Sequence, residues 1–250
     1  MQLEARIWLV VPCYDEASRL DLEPYGVALE RHPGLRLLFV DDGSRDETRA
    51  LLEAFAGDRP DRASVLALPS NVGKAGAVRA GVLEAFEAEP EYVAYWDADL
   101  STPLEELPRL VARLSSDSAL EIALGSRVRL LGRTIERLET RHYLGRVVAF
   151  FAAWALGVAV YDTQCGAKVL RVTARTRALF AQPFHTGWTF DVELIARWLR
   201  DRRAEGDATP KSGLIEVPLH TWHHVSGSKV RASDLPRALL DLWWIYRRYR

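Results

Sequence analysis

A chain of 250 residues, 48% of them apolar, has the material for one large domain or two small ones with a sizeable core, and it excludes a disordered segment. Its formal charge of −1 argues against a general nucleic-acid binder, which normally carries a basic excess. Two cysteines, Cys13 and Cys165, are too few for a disulfide framework or a zinc site, so a reducing, cytoplasmic compartment is expected.

The first apolar run, Ile7–Val11, starts almost at the first residue, with no signal-peptide pattern before it. Further strand-like runs follow at Leu35–Val40, Ser64–Leu68, Tyr92–Trp96 and Glu121–Leu124, separated by segments with helical spacing. Such alternation predicts βαβ units and an α/β fold, a mostly parallel central sheet flanked by helices. In open sheets of this kind ligands bind outside the carboxyl ends of the strands. A polar motif falls at each of these ends: Pro12 to Glu16, Asp41 to Ser44, Pro69 to Lys74, Asp97 to Asp99, and Gly125 to Arg127.

Beyond Arg129 the pattern turns to arginine-rich helices from about Thr134 to Val160, then to an irregular run from Asp162 to Lys168. Val147 to Tyr161 is apolar for about 15 residues against the ~20 a spanning helix needs, which makes it a buried core helix or, less in keeping with its length, an interfacial one. A helix around Asp191 to Arg203, a surface loop to Pro210 and a strand Leu214–Val217 come next. Leu235 to Arg250 sets Trp243, Trp244, Tyr246 and Tyr249 among arginines, as a helix at a lipid headgroup boundary would, or as one packed on the domain or on a second subunit. There is no repeat and no clear linker. One domain over residues 1–232 is expected, with a donor half (1–127) and an acceptor half (128–232), followed by an amphipathic helix at 233–250.

Asp97 and Asp99 form the sharpest motif. At the end of a strand with a period of two, alternate side chains point the same way, and two carboxylates there suit a hard divalent cation shared with a phosphate. The same residues also fit turn chemistry, with Ser101 or Thr102 capping a helix that opens at Pro103. In Val40 to Thr48, Gly43 permits a tight turn and Asp46 is placed to cap the next helix. That leaves Asp41 and Asp42 over, one of which can accept from a base or sugar hydroxyl. Asn71 to Arg79 puts glycines and Lys74 at a helix N-terminus, where an anion is favoured, without the spacing of a P-loop. Lys74 and Arg79 are therefore phosphate partners or plain surface charges.

The ordered series Pro12…Glu16, VDDGSRDET, NVGKAGAVRAG, DADLSTP, GSR, DTQCGAK, FDVEL and VSGSK resembles family 2 glycosyltransferases with the GT-A fold, most closely the dolichyl-phosphate (polyprenyl-phosphate) glucosyltransferase branch. The resemblance implies that Pro12, Tyr14, Glu16, Asp42, Ser44 and Asn71 line the nucleoside side. It also implies that Lys74 and Asp97 lie at the diphosphate, and that Asp97 and Asp99 hold Mg²⁺ or Mn²⁺. Asp15 departs from the family's usual asparagine, adding a charge and losing a donor.

For the acceptor half the resemblance implies a polyprenyl phosphate. Such a nucleophile is already ionised near neutral pH and needs positioning more than a base. Arg127, Arg133, Arg141, Arg146 and Lys229 are the available cations, with Gln164, Ser226 and Ser228 as further contacts and Asp191 orienting sugar or acceptor. Asp191 and Glu193 also suit the start of a helix. The expected function is inverting transfer of glucose from UDP-glucose to a polyprenyl phosphate by a protein held peripherally on the cytosolic membrane face. The rivals are a GDP-mannose donor, a soluble hydroxyl acceptor, and a noncatalytic nucleotide-sugar binding protein.

Overall fold

The computed structural model describes residues 2–136, 139–207, 209–225 and 235–250; the side chains of 139–144, 146 and 210 fall outside that description. Its first half alternates as the apolar runs predict. In chain order come β1 (Ile7–Cys13), α1 (Glu23–Arg31), β2 (Leu35–Asp41), α2 (Thr48–Gly57), β3 (Ala63–Ala67), α3 (Gly73–Glu87), β4 (Tyr92–Trp96), α4 (Leu107–Ser115) and β5 (Ile122–Ser126). The second half adds β6 (Thr134–Ile135), α5 (Glu139–Leu156), β7 (Ala167–Arg171), α6 (Ala174–Ala178), α7 (Phe190–Ala204), β8 (Leu214–Pro218), β9 (Thr221–Trp222) and α8 (Leu235–Tyr249).

The main sheet has seven strands in the order β3-β2-β1-β4-β7-β5-β8, and β6 pairs with β9 in a separate ribbon. All neighbours in the main sheet are parallel except around β7, which runs antiparallel to both β4 and β5. The chain builds outward from β1 to β3 and then returns to β1's other edge with β4. That reversal opens a crevice at the carboxyl ends of β1 and β4.

Two expectations for the second half need correction. The run read as irregular up to Lys168 contains the start of β7, and the helical stretch expected from Thr134 begins with the short strand β6. A lysine at the second position of Ala167–Arg171 disguises a strand buried over its first four residues. Because β7 is antiparallel, its entering segment, 162–166, arrives at the same rim as the exits of β4 and β5.

Each face of the sheet buries its own cluster. Leu9, Phe39 and Trp96 pack beneath α1, α2 and α4, whereas Val10, Tyr95 and Leu124 pack beneath α3, α5, α7 and α8. Helix α8 is part of this core: Ala238, Leu242 and Ile245 are buried. Its end is tied by the Tyr249 hydroxyl, which donates to Glu193 (3.0 Å), and its start by Thr189, which donates to Asp241 (3.0 Å). Trp244 stacks on His185 at 3.9 Å and Tyr246 on Trp154 at 4.3 Å between centroids. Of the four aromatics expected to form an interfacial belt, only Trp243 is fully exposed. Conversely α5, expected above all to be a core helix, shows Val147, Phe150, Phe151 and Trp154 at the surface. Among the described residues no helix is long and apolar enough to cross a membrane.

Gly81 lets α3 lie close on the sheet, since a Cβ there would come within 2.5 Å of Val10 and 2.6 Å of Val40. Replacing Gly81 with alanine is expected to destabilise the fold by about 1–3 kcal/mol through overpacking, read as a lower urea midpoint at unchanged slope. A gain in stability, as helix propensity alone predicts, would show that the contact relaxes.

Candidate active site

Loops from different strands are bound to one another at the crevice. After β1 the chain turns through Asp15, whose φ of 46° lies in the left-handed region that Asn and Asp tolerate best. The Asp15 amide donates to Ser44 Oγ (3.1 Å), and its carboxylate accepts from the Arg45 amide (2.8 Å). An acceptor is all this contact asks for, so aspartate replaces asparagine here without losing the bond. Glu16 is buried, its amide donating to Thr48 Oγ1 (2.7 Å). Asp46 accepts from the Thr48 amide (3.0 Å) and from the Ala17 amide (3.1 Å), tying the start of α2 to the first loop, but it is not the expected cap: the N-cap position is Glu47, and no side chain caps the helix. Pro12, Tyr14 and Ser44 are half-buried along this rim, and Asn71 is exposed on the neighbouring loop.

Asp42, expected to line the nucleoside side, also serves the fold. It is buried, and its two oxygens accept from the Val72 and Gly73 amides at 2.7 and 2.9 Å. This carboxylate therefore caps α3 from another loop and supplies the anion that the helix N-terminus was expected to attract. Arg79 is likewise structural, donating to the Phe180 and Ala181 carbonyls at 2.8 Å each.

Strand β4 stops at Trp96, so the alternation of strand side chains does not reach the acidic pair. Asp97 to Leu100 is a turn closed by the Leu100 amide on the Asp97 carbonyl (3.2 Å), with Leu100 at a φ of 49°. Asp97 Oδ1 lies 2.5 Å from Lys74 Nζ at the start of α3. Burial disfavours both charges, yet their attraction holds the carboxyl below and the ammonium above their ordinary ranges. Asp99 Oδ1 accepts from the Ser101 amide (3.0 Å), and its Oδ2 is 3.8 Å from Arg19. Neither Ser101 nor Thr102 caps α4; Thr102 is buried with its hydroxyl against Cys165. Arg19, which also pairs with Glu16, was not foreseen as a site residue, although its place three residues after Glu16 is the visible signal.

The segment entering β7 forms the floor. The Asp97 amide donates to the Gly166 carbonyl (3.0 Å), and a Cβ on Gly166 would fall 1.9 Å from Asp97 Oδ2, so only glycine leaves the carboxylate where it is. Lys168 is fully buried, opposite Tyr95 in the β4–β7 register, and its ammonium reaches the Cys165 carbonyl (2.6 Å) and Asp191 (2.8 Å). Tyr95 donates to the same Asp191 oxygen at 2.6 Å. Asp191, expected to orient sugar or acceptor, is a buried counter-ion at the first turn of α7. Tyr95 and Lys168 are the partners its motif did not reveal. Glu193 is also internal, accepting from the amides of His185 and Thr186 and from Arg197.

Two of the expected acceptor cations are also engaged. Arg127 forms a fork on Asp162, with Nε and Nη2 each 2.7 Å from a carboxylate oxygen. Burial opposes its charge, but Asp162 raises its pKa further above the ordinary guanidinium range. Arg133 donates to the Pro218 carbonyl (2.8 Å). Ser226, Ser228 and Lys229 lie outside the described residues, as do the side chains of Arg141 and Arg146. By contrast Gln164 Nε2 and Thr163 Oγ1, two residues or three before Gly166, are buried atoms with no hydrogen-bond partner. A buried donor left unpaired costs about 1–3 kcal/mol, which a ligand's acceptor can recover.

A seven-stranded, mostly parallel sheet flanked by helices, with its crevice at the switch point, is the fold of GT-A glycosyltransferases. The chain belongs to glycosyl transferase family 2, whose sequence model matches residues 8–169. It is 33% identical over 235 residues to the dolichyl-phosphate beta-glucosyltransferase of Mus musculus, covering 86% of this chain and 70% of that one. It is 27% identical over 241 residues to the polyprenol monophosphomannose synthase of Mycolicibacterium smegmatis, covering 95% and 85% respectively. In fold it resembles glucosyl-3-phosphoglycerate synthase from Mycobacterium tuberculosis, solved with Mn²⁺, UDP-glucose and phosphoglyceric acid, with a TM-score of 0.68 at 17% identity over 97% of this chain and 80% of that one.

Lys168→Met leaves the Asp191 charge buried without its cation and is expected to cost about 3–5 kcal/mol of stability, measured by chemical denaturation. Adding Asp191→Leu should return much of the loss. If the single variant proves as stable as the parent, the pair does not carry its charge in the folded state.

Proposed function

We propose that the protein is an inverting glycosyltransferase that moves glucose from UDP-glucose to a polyprenyl phosphate at the cytosolic face of a membrane. The observation that carries this reading is the meeting of Asp97 and Asp99 with Lys74 and Arg19 at the switch point. Among the described residues no group of three or more His, Cys, Asp and Glu side chains forms a metal cage. Two carboxylates in a half-open turn instead fit a cation whose remaining ligands are water and phosphate oxygens. Asp97 and Asp99 would hold Mg²⁺ or Mn²⁺, which supplies Lewis acidity to the departing diphosphate.

The chain's own groups do the rest by placement. Lys74 neutralises phosphate charge, Gln164 offers a free amide donor to the sugar or diphosphate, and Gly166 keeps Asp97 fixed. An acceptor phosphate oxygen forms the new bond to the anomeric carbon while the bond to the diphosphate oxygen breaks, and the nucleoside diphosphate leaves with that electron pair. No proton has to be removed from an ionised phosphate, so a buried Asp191 held by Tyr95 and Lys168 is consistent with the chemistry as a positioning residue. Arg127 and Arg133 shape the acceptor side through Asp162 and the Pro218 carbonyl, leaving Arg141, Ser226, Ser228 and Lys229 as the groups proposed to grip the acceptor phosphate. The names of the mouse and mycobacterial relatives support a lipid-phosphate acceptor. The mycobacterial name also keeps GDP-mannose as the second donor to test.

Purified protein with UDP-glucose, GDP-mannose, Mg²⁺ or Mn²⁺ and a short polyprenyl phosphate should yield polyprenyl-phosphate glucose by mass. Release of GDP with a mannosyl product would move the reading to the second donor, and ligand-induced thermal stabilisation with no product from any acceptor would indicate a noncatalytic binder. Asp99→Ala is expected to lower transfer by about a hundredfold or more with an unchanged thermal midpoint. Near-parental turnover in that variant would sink the metal role.

A further inference from the structure

A cavity of about 460 Å³ opens on the face of the sheet that α1, α2 and α4 cover, and no residue of the crevice lines it. Its walls come from the end of α1, from the turn that leads into α4, and from α4 itself. They carry a lopsided charge: Arg31, Arg109 and Arg113 stand there with a single acid, Glu105. Arg109 is already spent, because it pairs with Glu106 and donates to the Pro218 carbonyl (3.1 Å). The other two are not. Arg31 and Arg113 are exposed, and among the described residues neither guanidinium has a hydrogen bond or an ion pair, with Glu105 or with any other group. His32 completes the lining. Its buried ring accepts from the Leu3 amide at Nδ1 (3.3 Å), which leaves the Nε2–H as a donor. Burial and the neighbouring Arg31 hold its pKa below the ordinary imidazole range, so the ring is neutral near pH 7.

We propose that this cavity is a second anion site, separate from the crevice, which takes a soluble small molecule carrying a phosphate dianion. Two unpaired guanidinium groups match the two charges of a phosphomonoester, the planar fork of arginine fits phosphate oxygens in pairs, and the His32 N–H adds an uncharged donor. A bare ion does not use the space. The volume lies within the range of about 300–1,000 Å³ that small-molecule sites occupy, and Pro108 and Ala112 give an organic body an apolar wall. Since no residue lines both places, the cavity and the crevice fill independently.

Phenyl phosphate is a suitable probe, added to the full chain by calorimetric titration above the second phosphate pKa of about 6. It should bind at a site that Lys74→Met, in the crevice, leaves unchanged. Arg31→Gln and Arg113→Gln should each weaken that binding about tenfold or more, the loss that follows from removing one charged hydrogen-bond donor. Arg49→Gln, on the outer side of α2, should leave it as it is. Both lining side chains are exposed, so thermal midpoints and the affinity for UDP should stay at parental values. No binding of phenyl phosphate, binding that Lys74→Met abolishes, or binding that the Arg31→Gln, Arg113→Gln double variant retains at parental strength would each overturn the proposal. A loss in Arg49→Gln equal to that of the lining variants would reduce the effect to general surface charge and overturn it as well. Inorganic phosphate held as tightly as phenyl phosphate would do the same, because the cavity would then take the bare ion and no organic body.

Discussion

The direction of β7 is the constraint on which the site depends. A purely parallel sheet sends only strand exits to its ligand edge, because every return crosses over on the far side. An antiparallel strand inserted between β4 and β5 sends its entrance there, and so brings Asp162, Gln164 and Gly166 against residues that leave β4 and β5. Arg127 finds Asp162, and Asp97 finds the Gly166 carbonyl, through that one reversal. Lys168 holds it in place, since an ammonium buried in the sheet is tolerable only with Asp191 and a carbonyl beside it.

The rim is consequently braced by contacts between loops. Asp15 accepts from the β2 loop, Asp42 caps a helix that follows β3, Lys74 from that helix meets Asp97 after β4, and Arg19 from the β1 loop meets Asp99. Each of these contacts ties a charged group to a partner distant in sequence, so the crevice is shaped before any ligand arrives. Preorganisation of this kind is what transition-state stabilisation by fixed charges requires. The buried amide of Gln164 and hydroxyl of Thr163 are the counterexample, polar atoms left without a partner in a rim where others are satisfied.

Most of the sheet was legible because its strands are continuous apolar runs, and Tyr92–Trp96 coincides with the predicted span. What stayed hidden depends on pairs distant along the chain. The start of Ala167–Arg171 reads as irregular because Lys168 pairs with a carboxylate on α7. Nothing local reveals Val72 and Gly73 as the partners of Asp42, or Asp162 as that of Arg127. The helix faces were exchanged for a similar reason. An apolar stretch does not disclose which side meets the core, and the aromatics of α8 find their partners on α5, α7 and the segment before α7. The acidic pair stands just beyond the carboxyl end of β4, but a turn places it there where strand alternation had been the expected device.

The attachment of Tyr249 to Glu193 ties α8 to the helix that carries Asp191. Glu193 lies two residues from Asp191 on α7, and it gathers the amides that lead into that helix. Trimming α8 would therefore remove Leu242 and Ile245 from the core beneath the sheet and take the Tyr249 hydroxyl from Glu193. Activity lost on truncation would report a collapsed support as readily as a missing anchor, so membrane recruitment and chemistry separate only through substitutions confined to the outer face of α8.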